Sequence, residues 1–92
     1  MNFLYEKNRI YLNDDQGQMI AEVTFPEISP GIVDINHTFV DGQLRGQGVA
    51  NALMLALVKK LDMENKKAKC SCSYAVTWFE RHSEYQEVLN FH

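Results

Sequence analysis

A thiol, an imidazole and a glycine-bearing turn are the parts of this sequence that could do chemistry. The thiol is Cys72, in Cys70-Ser71-Cys72-Ser73-Tyr74. Only a thiolate attacks, and a free cysteine with pKa ~8.5 is mostly protonated at neutral pH. A base or a helix N-terminus beside Cys72 would enlarge the reactive fraction. The competing reading is a small buried hydrophobe, the usual state of a free cysteine. It weighs more heavily still on Cys70. The imidazole is His37, either a base or a core histidine bonded to the backbone.

The turn is Asp41-Gly42-Gln43-Leu44-Arg45-Gly46-Gln47-Gly48-Val49-Ala50. Gly46 and Gly48 let the backbone approach a ligand with no Cβ in the way. A strand that breaks into such a turn and restarts as a helix leaves amide N–H groups unpaired, at the positive end of the helix dipole. That is an anion site, which we read as one for a pyrophosphate. Arg45 to Ala50 fits R/Q-x-x-G-x-G/A and is neither G-x-G-x-x-G nor a P-loop. An ordinary strand-to-helix turn would carry the same glycines. Arg45 then either pairs with phosphate oxygens or is a solvated turn residue.

The elements around these residues follow from periodicity. Phe3–Asn13 reads as a first strand, interrupted near Asn8. Asn13 to Gly17 is a hairpin turn, and Met19–Phe25 alternates as a second, antiparallel strand. Pro26 and Pro30-Gly31 mark a loop. Ile32–Val40 reads as one strand, with Val33, Ile35, His37 and Phe39 on one face and Asp34, Asn36, Thr38 and Val40 on the other. Val49, Ala52, Leu53, Ala56, Leu57 and Leu61 recur at helical spacing, giving a helix from Val49 to about Leu61. Asn65-Lys66-Lys67 is its polar exit.

Ala68–Ser73 reads as a strand parallel to Ile32–Val40, completing a strand–turn–helix–strand crossover. Tyr74–Arg81 and Ser83–Leu89 read as short helices. The expected class is therefore α/β, with antiparallel strands first and the crossover after. Ligands of open α/β sheets bind beyond the carboxyl ends of the strands. The turn after Val40 and the chain after Cys72 are two such ends, which brings Cys72 and Tyr74 toward the phosphate site and His37 toward Cys72. Tyr74, Trp78, Phe79 and Tyr85 either stack on a cofactor or fill the core. Arg81-His82 either meets a phosphate or caps a helix, and His82 suits the cap.

The 92 residues are enough for one small domain, residues 1–92. A net charge of −3 argues against a nucleic-acid partner. The longest apolar run is too short for a membrane span, and the N-terminus lacks the apolar segment of a signal peptide. Two cysteines one residue apart do not make a disulfide framework. A cytoplasmic monomer with reduced thiols is expected. C-x-C with distant histidines lacks metal-ligand spacing, so no metal is expected.

Four segments together carry a family resemblance. They are Asn36-His37-Thr38-Phe39-Val40, Leu44-Arg45-Gly46-Gln47-Gly48-Val49-Ala50, Cys72-Ser73-Tyr74 and Glu80-Arg81-His82-Ser83-Glu84-Tyr85. Their order and spacing resemble the small, single-domain branch of the GNAT N-acetyltransferase superfamily, whose members carry H-T-x-V, R-G-x-G-[IV]-[AG], C-S-Y and R-H-P-E-Y. The resemblance runs from about Arg9 to the end. Ser83 stands in place of the usual proline, a mild departure because serine also starts a helix well.

The resemblance implies a minimal acetyl-CoA-binding fold. It implies Val40, Arg45, Gly46, Gln47, Gly48, Val49, Ala50, Tyr74 and Arg81 as the cofactor-binding set, with Cys72 and His37 catalytic. The acceptor would be an amine, in a small molecule, a protein lysine or an N-terminus. Most of the acceptor pocket of larger GNAT enzymes is absent in this branch, so no substrate carries over. Either the acceptor attacks the thioester directly, or Cys72 takes the acetyl group first. The competing class is a non-catalytic CoA-binding module.

Overall fold

The computed structural model describes residues 1–89. Strands β1 (Leu4–Glu6), β2 (Arg9–Asn13) and β3 (Met19–Thr24) form an antiparallel meander. The interruption at Asn8 is a two-residue turn between β1 and β2. The Asp14 carboxylate accepts from the amides of Gln16 and Gln18 and shapes the turn into β3. Ala21, Val23 and Phe25 are buried on one face of β3, as their alternation requires.

The proline-flanked segment is not only a loop. Strand β4 (Glu27–Ser29) lies between Pro26 and Pro30 and pairs antiparallel with β5 (Ile32–Ile35). Pro30-Gly31 is the turn between them. Three residues between two prolines carry too little alternation to reveal a strand.

The larger correction concerns Ile32–Val40, which is two strands in two sheets. β5 pairs parallel with β7 (Lys67–Cys70). β6 (His37–Val40) pairs antiparallel with β3. The orders are β1-β2-β3-β6 and β4-β5-β7. The break is at Asn36, whose amide donates to Thr24 O (3.2 Å) and whose Oδ1 accepts from Thr24 Oγ1 (2.5 Å). The alternation slips by one residue there. Val33 and Ile35 are buried, but Thr38 and Val40, not His37 and Phe39, share a face with buried Val23 and Ala21 of β3. A one-residue slip moves each later side chain to the other face.

A 3₁₀ turn (Gly42–Leu44) leads to α1 (Val49–Met63), whose Val49, Leu53, Leu57 and Leu61 form a buried i, i+4 stripe. Met54 and Val58 widen it, whereas Leu55 is exposed. The helix closes with a Schellman arrangement: Asn65 has φ +56°, and the Lys66 amide reaches Leu61 O at 2.9 Å. β7 ends at Cys70, and α2 (Ser73–Arg81) starts at Ser73, a residue earlier than its spacing suggests. The last segment is a 3₁₀ helix, Ser83–Val88. Side chains of both sheets and both helices meet in one core cluster. Among the described residues, no helix is long and apolar enough to cross a membrane.

Candidate functional site

The slip at Asn36 opens a wedge in the sheet. Ile35 O accepts from the amides of both Ser71 and Cys72, at 3.1 Å each. Beyond that point β6 is an edge strand, bonded to β3 alone, and the chain after Cys70 turns into α2. The Asp41 amide donates to Ile20 O on the β3 side. By the alternation of an antiparallel ladder, the amides of Thr38 and Val40 therefore point into the wedge.

One wall of the wedge continues into the glycine turn. Gly46 and Gly48 adopt φ +79° and +73°, and Gly48 is the N-cap of α1. The first amide of α1 with a backbone acceptor is that of Ala52, bonded to Gly48 O. Among the described residues, the amides of Gly46, Gly48, Val49, Ala50 and Asn51 donate to no backbone carbonyl. A run of free donors at a helix N-terminus suits an anion. They face a shallow cavity of about 310 Å³. Val40, Arg45, Gly46, Gly48, Val49, Ala50 and Tyr74 line it together with Leu44 and Asn51.

Two members of the expected cofactor set lie elsewhere. Gln47 turns its side chain back to Gln43 O. Arg81 occupies the last turn of α2, about 12 Å of helix rise from Ser73. His82 is the C-cap of α2, and its Nδ1 lies 2.7 Å from Trp78 O. Trp78 and Phe79 are core residues, and Tyr85 stacks over Trp78.

Cys72 is the N-cap of α2, not a strand residue. Its Sγ lies 3.4 Å from Thr38 Oγ1 across the wedge. Burial pushes the thiol up, but the Thr38 hydroxyl and the amides of Ala75, Tyr74 and Thr38 outweigh it and hold it below its ordinary value. No amide closes a cap hydrogen bond with the sulfur, so the amides act mainly as oriented dipoles. Tyr74, beside the cavity, is pushed up by burial and by the neighbouring Cys72.

Cys70 is the opposite case. It lines a separate apolar groove of about 270 Å³ with Ala68, Val76 and Phe79. Burial first, then Asp34 and Cys72, push its thiol up to about 11. For an acid whose folded value is raised, the stabilisation is complete below the unfolded value, ~8.5, and is lost as pH rises through 11. The melting temperature of the wild type is therefore expected to fall more steeply between about pH 9 and 11 than that of Cys70→Ala. Parallel melting curves across that range would sink the assignment.

The structure does not bring His37 to Cys72. The imidazole projects from the face of β6 opposite Thr38, with its side chain 52% exposed. Its Nε2 lies 3.5 Å from Glu22 Oε1. The other Glu22 oxygen is bonded by Arg9, which stacks on Tyr11.

Two residues in the site had no role in the sequence reading. Thr38 sits inside the H-T-x-V motif, but a continuous strand would turn it away from the histidine and toward no stated partner. Asn51 lines the cavity and accepts a 2.8 Å bond from Trp78 Nε1, which ties the start of α1 to α2. Its only signal was a polar residue in the first turn of an otherwise apolar helix face.

Comparison with known proteins adds to this geometry. A family model described as GCN5-related N-acetyl-transferase matches residues 9–88. Comparison with the curated proteins finds no match. A GCN5-like candidate N-acetyltransferase from Staphylococcus aureus superposes with TM-score 0.82 at 32% identity, covering 99% of this chain and 89% of its own. The ribosomal-protein-S18-alanine N-acetyltransferase of Escherichia coli gives 0.64 at 19% identity, over 86% of this chain and 50% of its own. Tetrahymena GCN5 gives 0.66 at 12% identity, over 83% and 51%. The chain thus spans about half the length of these two larger proteins, which share its fold.

Proposed function

The chain belongs to the GCN5-related N-acetyltransferase family, and on that premise we propose that it binds acetyl-CoA across the Arg45–Ala50 turn and passes the acetyl group to an amine by way of Cys72. The observation that carries the reading is the meeting of two helix N-termini at one wedge. Free amides of the glycine turn begin α1, and a thiol held below its ordinary value begins α2.

In this reading the amides of residues 46 and 48–51 hold the pyrophosphate, with Arg45 as the cation beside it. Val40 offers an edge-strand amide to the arm that enters the wedge, and Tyr74 packs against it. Cys72 Sγ attacks the thioester carbonyl carbon. Its S–C bond forms, the bond from that carbon to the CoA sulfur breaks, and the CoA thiolate takes up the proton that Cys72 released. The acceptor amine then attacks the acetyl-cysteine, loses a proton, and returns the Cys72 thiolate. The proton that the amine loses goes to water, because His37 stands with Glu22 on the face of β6 opposite Thr38 and Cys72.

One experiment tests the whole. Acetyl-CoA is titrated into the protein by heteronuclear NMR, and intact mass is then measured with and without a panel of amines. Shifts centred on Arg45–Ala50, a gain of one acetyl group on Cys72, and its discharge to an amine are expected. Shifts with no acetyl gain and no turnover would replace the enzyme with a CoA-binding module. The absence of shifts would reduce the turn to a structural element.

A further inference from the structure

We propose that Thr38 is a positioning residue for this transfer: its hydroxyl spans the wedge and donates to the Cys72 thiolate, aiming the sulfur at the thioester. The proposal rests on the acetyl-CoA reading given above. Its ground is the place of the contact. β6 and the chain after Cys70 both hang from Ile35 and then part. The Thr38 Oγ1 to Cys72 Sγ bond, at 3.4 Å, bridges the two walls of the gap. The Thr38 amide points into the same gap and adds its dipole to the hydroxyl's bond.

Among the described residues, no other side chain takes that role. Among the described residues, no charged side chain contributes to the state of Cys72. The titratable neighbours are Cys70 on β7, itself pushed up to about 11, and Tyr74 on α2. The imidazole of His37 is on the other face of β6 and Asp34 bonds Ser71. A hydrogen bond to the charged form favours it. In the transfer Cys72 loses its proton, its sulfur bonds the acetyl carbon, and the CoA sulfur leaves with the electron pair and is protonated. The hydroxyl donates to the sulfur before that step and has no anion to hold after it.

The test is the pH profile of Cys72 alkylation by iodoacetamide, resolved from Cys70 by peptide mass spectrometry. Wild type, Thr38→Val, Thr38→Ala and Thr38→Ser are compared, each with a thermal melt. Loss of a hydrogen bond to a charged group should leave about tenfold less thiolate at neutral pH. A more basic thiolate is also a better nucleophile, with a Brønsted slope of about 0.4–0.5. The valine and alanine variants should therefore react roughly threefold more slowly at neutral pH, with the midpoint moved to higher pH and a faster high-pH plateau. Serine, which keeps the hydroxyl, should restore both features. Loosened packing would expose the sulfur and speed alkylation at every pH, so the crossing profiles separate the roles.

Should valine fail to fold, alanine, which adds no bulk, carries the comparison. Unchanged midpoint and plateau in a folded hydroxyl-less variant would overturn the proposal. The alkylation contains no acetyl-CoA. A profile that responds to Thr38 in a protein that does not bind acetyl-CoA would uphold the contact and overturn the cofactor reading. An unresponsive profile in a protein that binds acetyl-CoA would do the reverse.

Discussion

Replacing Cys72 with alanine is expected to abolish acetyl transfer while leaving acetyl-CoA binding close to wild type. The two effects separate because the thiol and the unpaired amides of the glycine turn sit at the starts of different helices. Cys72 caps α2, whereas Gly46 and residues 48–51 lead into α1 and line the cavity there. Removing a nucleophile takes away a bond-forming partner, and losses of a thousandfold or more are on the order of what such deletions produce. The acetyl gain on the intact protein should vanish in the same variant. Steady-state turnover with an amine that the wild type accepts, together with calorimetric titration of CoA, reads both quantities. Turnover near wild type would mean that the amine attacks the thioester directly, and Cys72 would then be a wall of the wedge.

The second large effect is expected at Gly48. At φ +73° an L-residue is strained, by roughly 1–2 kcal/mol for a single side chain. A Cβ built there meets no protein atom within 4 Å, so a methyl would stand in open space beside the free amides. Gly48→Ala should thus lose stability and CoA affinity together, with affinity falling at least about tenfold as charge-assisted bonds to the phosphate lengthen. Gly17→Ala is the matched control. Its φ is +80°, its Cβ also meets nothing, and it lies in the β2–β3 hairpin. Thermal melts should show a similar loss in both variants, and CoA titration should show a loss in Gly48→Ala alone. Equal CoA affinity in the two would mean that the turn binds no phosphate.

Much of this arrangement was legible in the residues themselves. The spacing of Val49, Leu53, Leu57 and Leu61 announces α1, and Gly46 and Gly48 announce its unpaired start. The order strand, turn, helix, strand then places Tyr74 near the turn, and Tyr74 does line the cavity. What stayed hidden has one physical cause. Alternation records which way a side chain points relative to its neighbours in an unbroken strand, and Ile32–Val40 alternates as if unbroken. The slip at Asn36 is imposed from outside the run, by Thr24 O and Thr24 Oγ1. It turns His37 out to Glu22 and Thr38 in toward Cys72, so the residue paired with the thiol had to come from the structure. β4 was hidden for a simpler reason, since two prolines enclose too few residues to show a period.

The break at Asn36 has the character of a dislocation in a crystal. Beyond it the facing edges of β6 and the chain after Cys70 share no main-chain ladder, so a guest that enters there breaks no backbone bond of the host. The defect is one of strand parity, pinned where Asn36 bonds Thr24 O and Thr24 Oγ1. Substitutions along β5 and β6 can change what lines the gap but leave the parity of the strand alone. An inserted or deleted residue would restore the continuous alternation and heal the seam. The opening is thus robust to the commonest kind of genetic change and exposed to the rarer one.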